Sequence, residues 1–313
     1  MASKTELLIP AGSLDEVKRY VEAGADSVMV GEGRFGLRLP GSMSPAHIAE
    51  AAAYMHGRGG KLYVSVNTIF ENDDLDALPG YVKAMQEAGV DALVFGDPAV
   101  LIAMKQAGVE LPLHWNTEMT STNYVTANYW GKKGATRAFL ARELNMEQVI
   151  EMKGAVHMEI QVQVHGMTNI YHSRRNLVHN YLRHQNEFID GTELASLGAD
   201  RGFRLMEAER PDLRFPVFED ESGTHIMSAD DICMLENIHE LMEAGVDCFK
   251  IEGLLKSPEY NETVLRSYRQ AIDSYWSNPA GYEFQEEWLE AIQEVQEPER
   301  ELSYGFFYKE QVY

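Results

Sequence analysis

A phrase that occurs three times constrains this chain more than any other feature. Residues 22–31 read EAGADSVMVG, residues 87–97 read EAGVDALVFGD, and residues 243–253 read EAGVDCFKIEG. Each has the form of a helix end, a glycine just beyond it, an acidic turn residue and then a buried strand. Fainter copies stand at 105–115 (KQAGVELPLHW), 131–141 (GKKGATRAFLA) and 152–162 (MKGAVHMEIQV). Six helix-to-strand junctions in one frame imply an alternating β/α chain. Its strands must run parallel, because parallel neighbours need helical crossovers.

The pattern predicts eight strands: Leu7–Gly12, Ser27–Gly31, Lys61–Thr68, Ala92–Asp97, Leu111–Thr117, Arg137–Glu143, Met158–Gly166 and Cys248–Gly253. Helices are predicted over Pro45–Arg58, Leu75–Ala88, Pro98–Ala107 and Pro258–Trp276. Eight strands favour an α/β fold of the closed (β/α)8, TIM-like type over an open doubly wound sheet. No GxGxxG follows the first strand, where PAGSLDE stands, so a dinucleotide fold has little support. The expected layout is one barrel over 1–277 and an acidic, then aromatic, C-terminal arm over 278–313. Between strands seven and eight lie about eighty residues, where one helix would suffice. Asp230–Glu243 is read as that helix, which leaves an insertion of about 167–229 on the face where barrels carry their sites.

Composition narrows the function classes. Acidic residues number 49 and basic residues 27, a net charge of −22, which argues against non-specific nucleic-acid binding by the surface as a whole. Cys233 and Cys248 are the only cysteines, too few for a disulfide framework. With no apolar run of membrane-span length and no signal-peptide pattern in MASKTELLIPAG, a cytoplasmic location and no membrane partner are expected.

Polar residues at the C-terminal ends of barrel strands point into the site. That rule selects Asn67, Asp97, His114, Asn116, Glu118, Arg142, Glu143, His165, Lys250 and Glu252. Lys250 and Glu252 share a strand face at a spacing of two and can pair as cation and carboxylate. Glu143, His165, Lys250 and Glu252 are the catalytic candidates. The stretch from Ile160 to Asn186 has no Asp or Glu, yet holds four histidines (165, 172, 179 and 184) with Arg174, Arg175 and Arg183. Tyr171 and Tyr181 are interleaved. Such a cationic, aromatic island suits an anionic ligand, since arginine forks match carboxylates and phosphates. Anion-binding candidates are therefore Arg142, Arg174, Arg175, Arg183, Tyr171, His172, Asn116 and Glu118. The alternative is simple neutralisation of nearby acidic surface. The spacing of His172, His179 and His184 matches no zinc or iron signature, and no metal site is assigned. Neither GxSxG nor HExxH occurs, and both cysteines read as buried structural thiols.

Several of these stretches resemble the U32 peptidase family, the collagenase-like proteases. The resemblance covers nearly the whole chain and is clearest in 7–31, in LARELNMEQVIEM (140–152), in VHGM (164–167) and in 228–273. It implies a barrel, and it implies RNA or quinone hydroxylation for the better-understood members. The chain is similar to the short members, which lack an appended C-terminal domain and work in tRNA hydroxylation beside a longer, cysteine-containing paralogue. That likeness implies prephenate-dependent 5-hydroxylation of the wobble uridine, with prephenate as co-substrate, tRNA as partner, and a homo- or hetero-oligomer. The alternatives are a peptidase, on the family name, and a non-catalytic partner subunit. The resemblance implies that several members carry an iron–sulfur cluster on four cysteines. Here Asn169 and Asn176 stand at two of those positions, Arg174 and His179 replace a neighbouring glycine and serine, and Gln161 and Gln163 replace a glutamate and phenylalanine. Cys233 alone matches a ligand, so no cluster is expected in this chain.

Overall fold

The computed structural model describes residues 4–116, 122–185, 198 and 201–310. Eight parallel strands close into a barrel: β1 (Glu6–Pro10), β2 (Ser27–Val30), β3 (Lys61–Val66), β4 (Ala92–Phe95), β5 (Leu113–Asn116), β6 (Ala135–Phe139), β7 (Glu159–Ser173) and, after three strands of the insertion, β11 (Cys248–Glu252). Each pairs with the next, and β11 closes the ring by pairing with both β7 and β1. An apolar layer that includes Leu7, Val28, Val64 and Leu93 packs the barrel's outer side against the helices. Leu8, Met29, Tyr63, Val94 and Phe139 fill the interior.

The repeated phrase has a specific structural role. Its glycine ends a helix in the left-handed region, at φ +108° for Gly24, +76° for Gly89 and +77° for Gly245. Its aspartate then reaches sideways to the first N–H groups of an adjacent strand. The Asp26 carboxylate accepts from Leu7 N at 2.8 Å, Asp91 from Leu62 N at 2.7 Å and Asp247 from Ile160 N at 2.8 Å. A strand entering the sheet has unsatisfied donors at its foot, and the aspartate supplies the acceptor. The copy at 152–162 departs from this, because the helix Met146–Ala155 continues through Gly154.

The insertion is a β-flap built on strand seven. β7 does not stop near Gly166 but runs on to Ser173. There it pairs antiparallel with β10 (Gly223–Cys233), which pairs with β9 (Arg214–Asp220), which pairs with β8 (Arg204–Met206). A helix, Leu177–His184, sits on this sheet, its first N–H groups donating to the Glu219 carboxylate. The helix expected over Asp230–Glu243 is corrected. Residues to Cys233 belong to β10, and helix forms only over Ile238–Glu243. Pairing with β7 claims the first half, and Asp231 is buried there against Arg300 and Lys256 at 2.7 and 2.8 Å. Arg300 comes from the C-terminal arm, whose last strand, β12 (Leu302–Ser303), lies parallel beside β10. Among the described residues no helix is long and apolar enough to cross a membrane.

Candidate active site

The loop that follows β2 folds over the C-terminal mouth of the barrel. Gly12 and Gly41 make this approach feasible, since a Cβ on Gly12 would lie 2.5 Å from Gly41 N. Asn67, at the end of β3, accepts from Leu37 N at 2.9 Å and from the Ser65 hydroxyl at 2.7 Å, which fixes the loop's far side. The next residue, Arg38, is held at φ +52°. Left-handed backbone is costly for a residue with a Cβ and persists where the surroundings over-determine it, often at functional sites. Arg38, Asn67, Thr68, Ile69, Asp97 and Asn116 line a cavity of about 210 Å³ at the mouth. A second cavity of about 280 Å³ shares Leu37, Thr68 and Ile69 with it and reaches His172 and Arg174 on the flap. The two form a groove from the barrel axis to the flap.

Of the strand-top candidates, the structure brings Asn67, Asp97 and Asn116 together at this mouth. Lys250 and Glu252 pair at 2.8 Å, both nearly buried, on the interior face of β11. Asp97 also accepts from Ala99 N at 2.8 Å, starting the following helix. Arg142 donates to the Asn169 carbonyl at 3.1 Å and so ties the loop after β6 to the flap. Glu143 is exposed beside it. His114 lies inside the barrel with its edge against Tyr63, and burial pushes its pKa down to about 3, with the Arg137 charge adding to the effect. Glu118 lies outside the described residues.

His165 is placed differently from the expectation that it points into the mouth. A bulge shifts the register between Lys250 paired with Gln163 and Ile251 paired with His165. The Gln163 side chain holds the bulge by donating to the carbonyls of Gly166 and Met167 at 3.2 and 3.0 Å. Gly166 completes it at φ +94°, where a Cβ would lie 2.1 Å from the Glu252 carbonyl oxygen. The extra residue turns His165 outward, fully buried, with Nε2 2.9 Å from the Tyr260 hydroxyl. Burial pushes its pKa down to about 4.

The basic island is divided. His172 faces the groove, stacks on His225 at 4.7 Å and hydrogen-bonds the Ser222 carbonyl. Burial lowers its pKa, and the nearby charge of Arg38 acts in the same direction. Arg174 also lines the groove, but it pairs with Glu71 at 2.8 Å. Arg175, Arg183, Tyr171 and Tyr181 are exposed elsewhere on the flap. Sequence reasoning missed Arg38. Its signal was the glycine-rich loop GEGRFGLRLPG, with two arginines directly after a strand.

A four-thiolate cluster does not fit these residues. Cys233 is the register partner of His165 and is buried with its thiol 3.9 Å from the Tyr268 hydroxyl. Asn169 lies four residues further along β7, opposite Met227, and Asn176 precedes the exposed flap helix. Cys233 is thus the one thiolate at these positions, and a single thiol cannot hold a cluster that needs about four. Among the described residues no group of three or more His, Cys, Asp or Glu side chains converges on a metal position.

The model of peptidase family U32 matches residues 12–312, and the chain belongs to that family. It is 46% identical to tRNA hydroxylation protein P2 of Bacillus subtilis over 99% of both chains. It is 30% identical to tRNA hydroxylation protein P1 of the same organism, over all of this chain and 74% of that one. The tRNA hydroxylation protein P of Escherichia coli is also 30% identical, over 93% of this chain and 72% of its own length. The solved structure of the U32 peptidase Mk0906 superposes with a TM-score of 0.50 at 15% identity, covering 80% of this chain and 94% of that one, which supports the fold.

Proposed function

We propose that this chain works in tRNA hydroxylation, in the prephenate-dependent 5-hydroxylation of the wobble uridine. The observation that carries the reading is the 46% identity to tRNA hydroxylation protein P2 over 99% of both chains. The mouth is consistent with it. Arg38 gives the cavity a guanidinium fork suited to a small carboxylate, with Asn67 and Asn116 as polar neighbours. The Lys250–Glu252 pair on β11 provides an ionisable couple inside the same barrel. The protein acts in the cytoplasm beside a longer paralogue, which carries the thiolates this chain lacks. Deleting the gene should abolish 5-hydroxyuridine at the wobble position, as read by mass spectrometry of purified tRNA. Unchanged levels would refute the reading.

The missing thiolates favour a second version, in which this chain is the non-catalytic subunit of that pair. The Arg38→Ala, Lys250→Met and Glu252→Gln variants separate the two. Loss of complementation with an intact fold places chemistry or ligand binding in this mouth, whereas full complementation makes the chain a scaffold. No observation favours a peptidase. Both thiols are buried and burial pushes both upward in pKa, the opposite of an activated nucleophile.

A further inference from the structure

The flap presents two faces with different chemistry. On one, His172 stacks on His225 and His225 on Phe218 at 4.8 Å, beside the groove at the mouth. Strand alternation puts Tyr171 on the other. The helix Leu177–His184 lies on that second face, since Leu177 N donates to the Thr224 hydroxyl, and Thr224 is next to His225 on β10. Within the helix Leu182 turns inward, while Tyr181, Arg183 and His184 turn to solvent. Tyr181 is 62% exposed and Tyr171 48%, so both rings offer open faces.

Among the described residues Arg175 and Arg183 form no ion pair. The groove-side Arg174 is held by Glu71, and Arg210, further along the flap, by Glu207. Both lie close in sequence to the exposed Tyr171 and Tyr181, in a stretch from Ile160 to Asn186 that has no acidic residue. Cations beside aromatic faces match a strand that carries both phosphates and unpaired bases. An acidic protein surface would match the charge but would leave the tyrosine faces without stacking partners.

We propose that this outer face of the flap docks a single-stranded segment of RNA, with Arg175 and Arg183 on phosphates and Tyr171 and Tyr181 stacking on bases. The proposal rests on the tRNA reading and extends it, because it assigns the macromolecule to a surface separate from the small-molecule mouth.

The test uses the purified full-length chain and a fluorescein-labelled anticodon stem–loop RNA with uridine at the wobble position, followed by anisotropy. The Arg175→Glu/Arg183→Glu variant should bind at least about 30-fold more weakly, and its affinity should fall less steeply with salt, by a slope of roughly 1.4 for two phosphate contacts. Tyr181→Ala should lose about 5- to 100-fold. Circular dichroism and thermal melting should match the parent, since these side chains face solvent. A fully paired hairpin of equal length should bind more weakly than the stem–loop. Absence of binding by the parent, or parent-like binding by the variants, overturns the proposal. So does retained RNA binding with loss of co-purification with the longer paralogue, which would make the face a protein interface. Because anisotropy does not depend on modification, unchanged 5-hydroxyuridine in the deletion strain would remove the tRNA reading and leave this measurement to decide the surface separately.

Discussion

Arg137 and Arg38 stand at opposite ends of one barrel, and their surroundings differ in kind. At the N-terminal end Arg137 is buried and forks onto Glu6 at 2.8 and 2.9 Å and onto Glu159 at 2.7 Å. Ser27 and Tyr63 donate to the same Glu6 carboxylate. Burial alone would raise the pKa of that carboxyl, but the hydrogen bonds and charge of Arg137 outweigh it and hold Glu6 at about 2. At the C-terminal end Arg38 lines a cavity in a strained backbone conformation, beside a neutral-leaning histidine. The same residue type therefore ties strands together at one end and lines a cavity at the other. In barrels of this kind the bottom serves stability and the top serves ligands.

The largest effect should come from Arg137→Met. It leaves Glu6 buried with only the exposed Lys61 ammonium at 3.7 Å and should cost about 3–5 kcal/mol in denaturant melts. Arg38→Ala should cost less than about 1 kcal/mol. Equal losses at the two ends would break the comparison.

Acid should produce the next effect. Below about pH 6.5 the unfolded chain protonates His114 and His165, while the folded chain resists until about 3 and about 4. The unfolded state then binds more protons, so stability is greatest above 6.5 and falls as pH drops. The two histidines together account for a slope of up to about 2.7 kcal/mol per pH unit between pH 6 and 5. Glu6 adds its loss only below its ordinary range, as pH falls through about 2. His165→Gln should remove about half of that slope, and an unchanged slope would show that His165 is not buried neutral.

A smaller change, of opposite sign, is expected from Arg38→Gly. It removes a left-handed penalty of about 1–2 kcal/mol and adds unfolded-chain freedom of about 0.5–1 kcal/mol. Stability should rise by up to about 1.5 kcal/mol while complementation is lost. A loss of stability would mean that the Arg38 side chain, and not the loop clamp, holds the conformation. The smallest expected signal is a null one. Anaerobically purified protein should show no absorbance band near about 400 nm, and about four irons per chain would overturn the assignment of the thiol ligands to a partner.

The barrel itself was legible in the sequence. The glycine and aspartate of the repeated phrase act through neighbours a few residues away or through the adjacent strand, so a local pattern carries them. The Lys250–Glu252 pair was equally legible, because a spacing of two puts both side chains on one face of a strand. His165 was not, because its direction depends on a bulge formed where Gly166 meets the Glu252 carbonyl, on a strand far along the chain. The same holds for residues 230–233, which became strand because β7 offers pairing partners and the arm's Arg300 neutralises Asp231. Arg38 and the two faces of the flap also required the assembled fold. Sequence alone determined the barrel's strands and most of its crossover helices, since helix and strand periods are written in short windows of residues. Only the tertiary structure decided which charges are paired and which cavity each side chain meets, since those depend on contacts between segments distant in sequence.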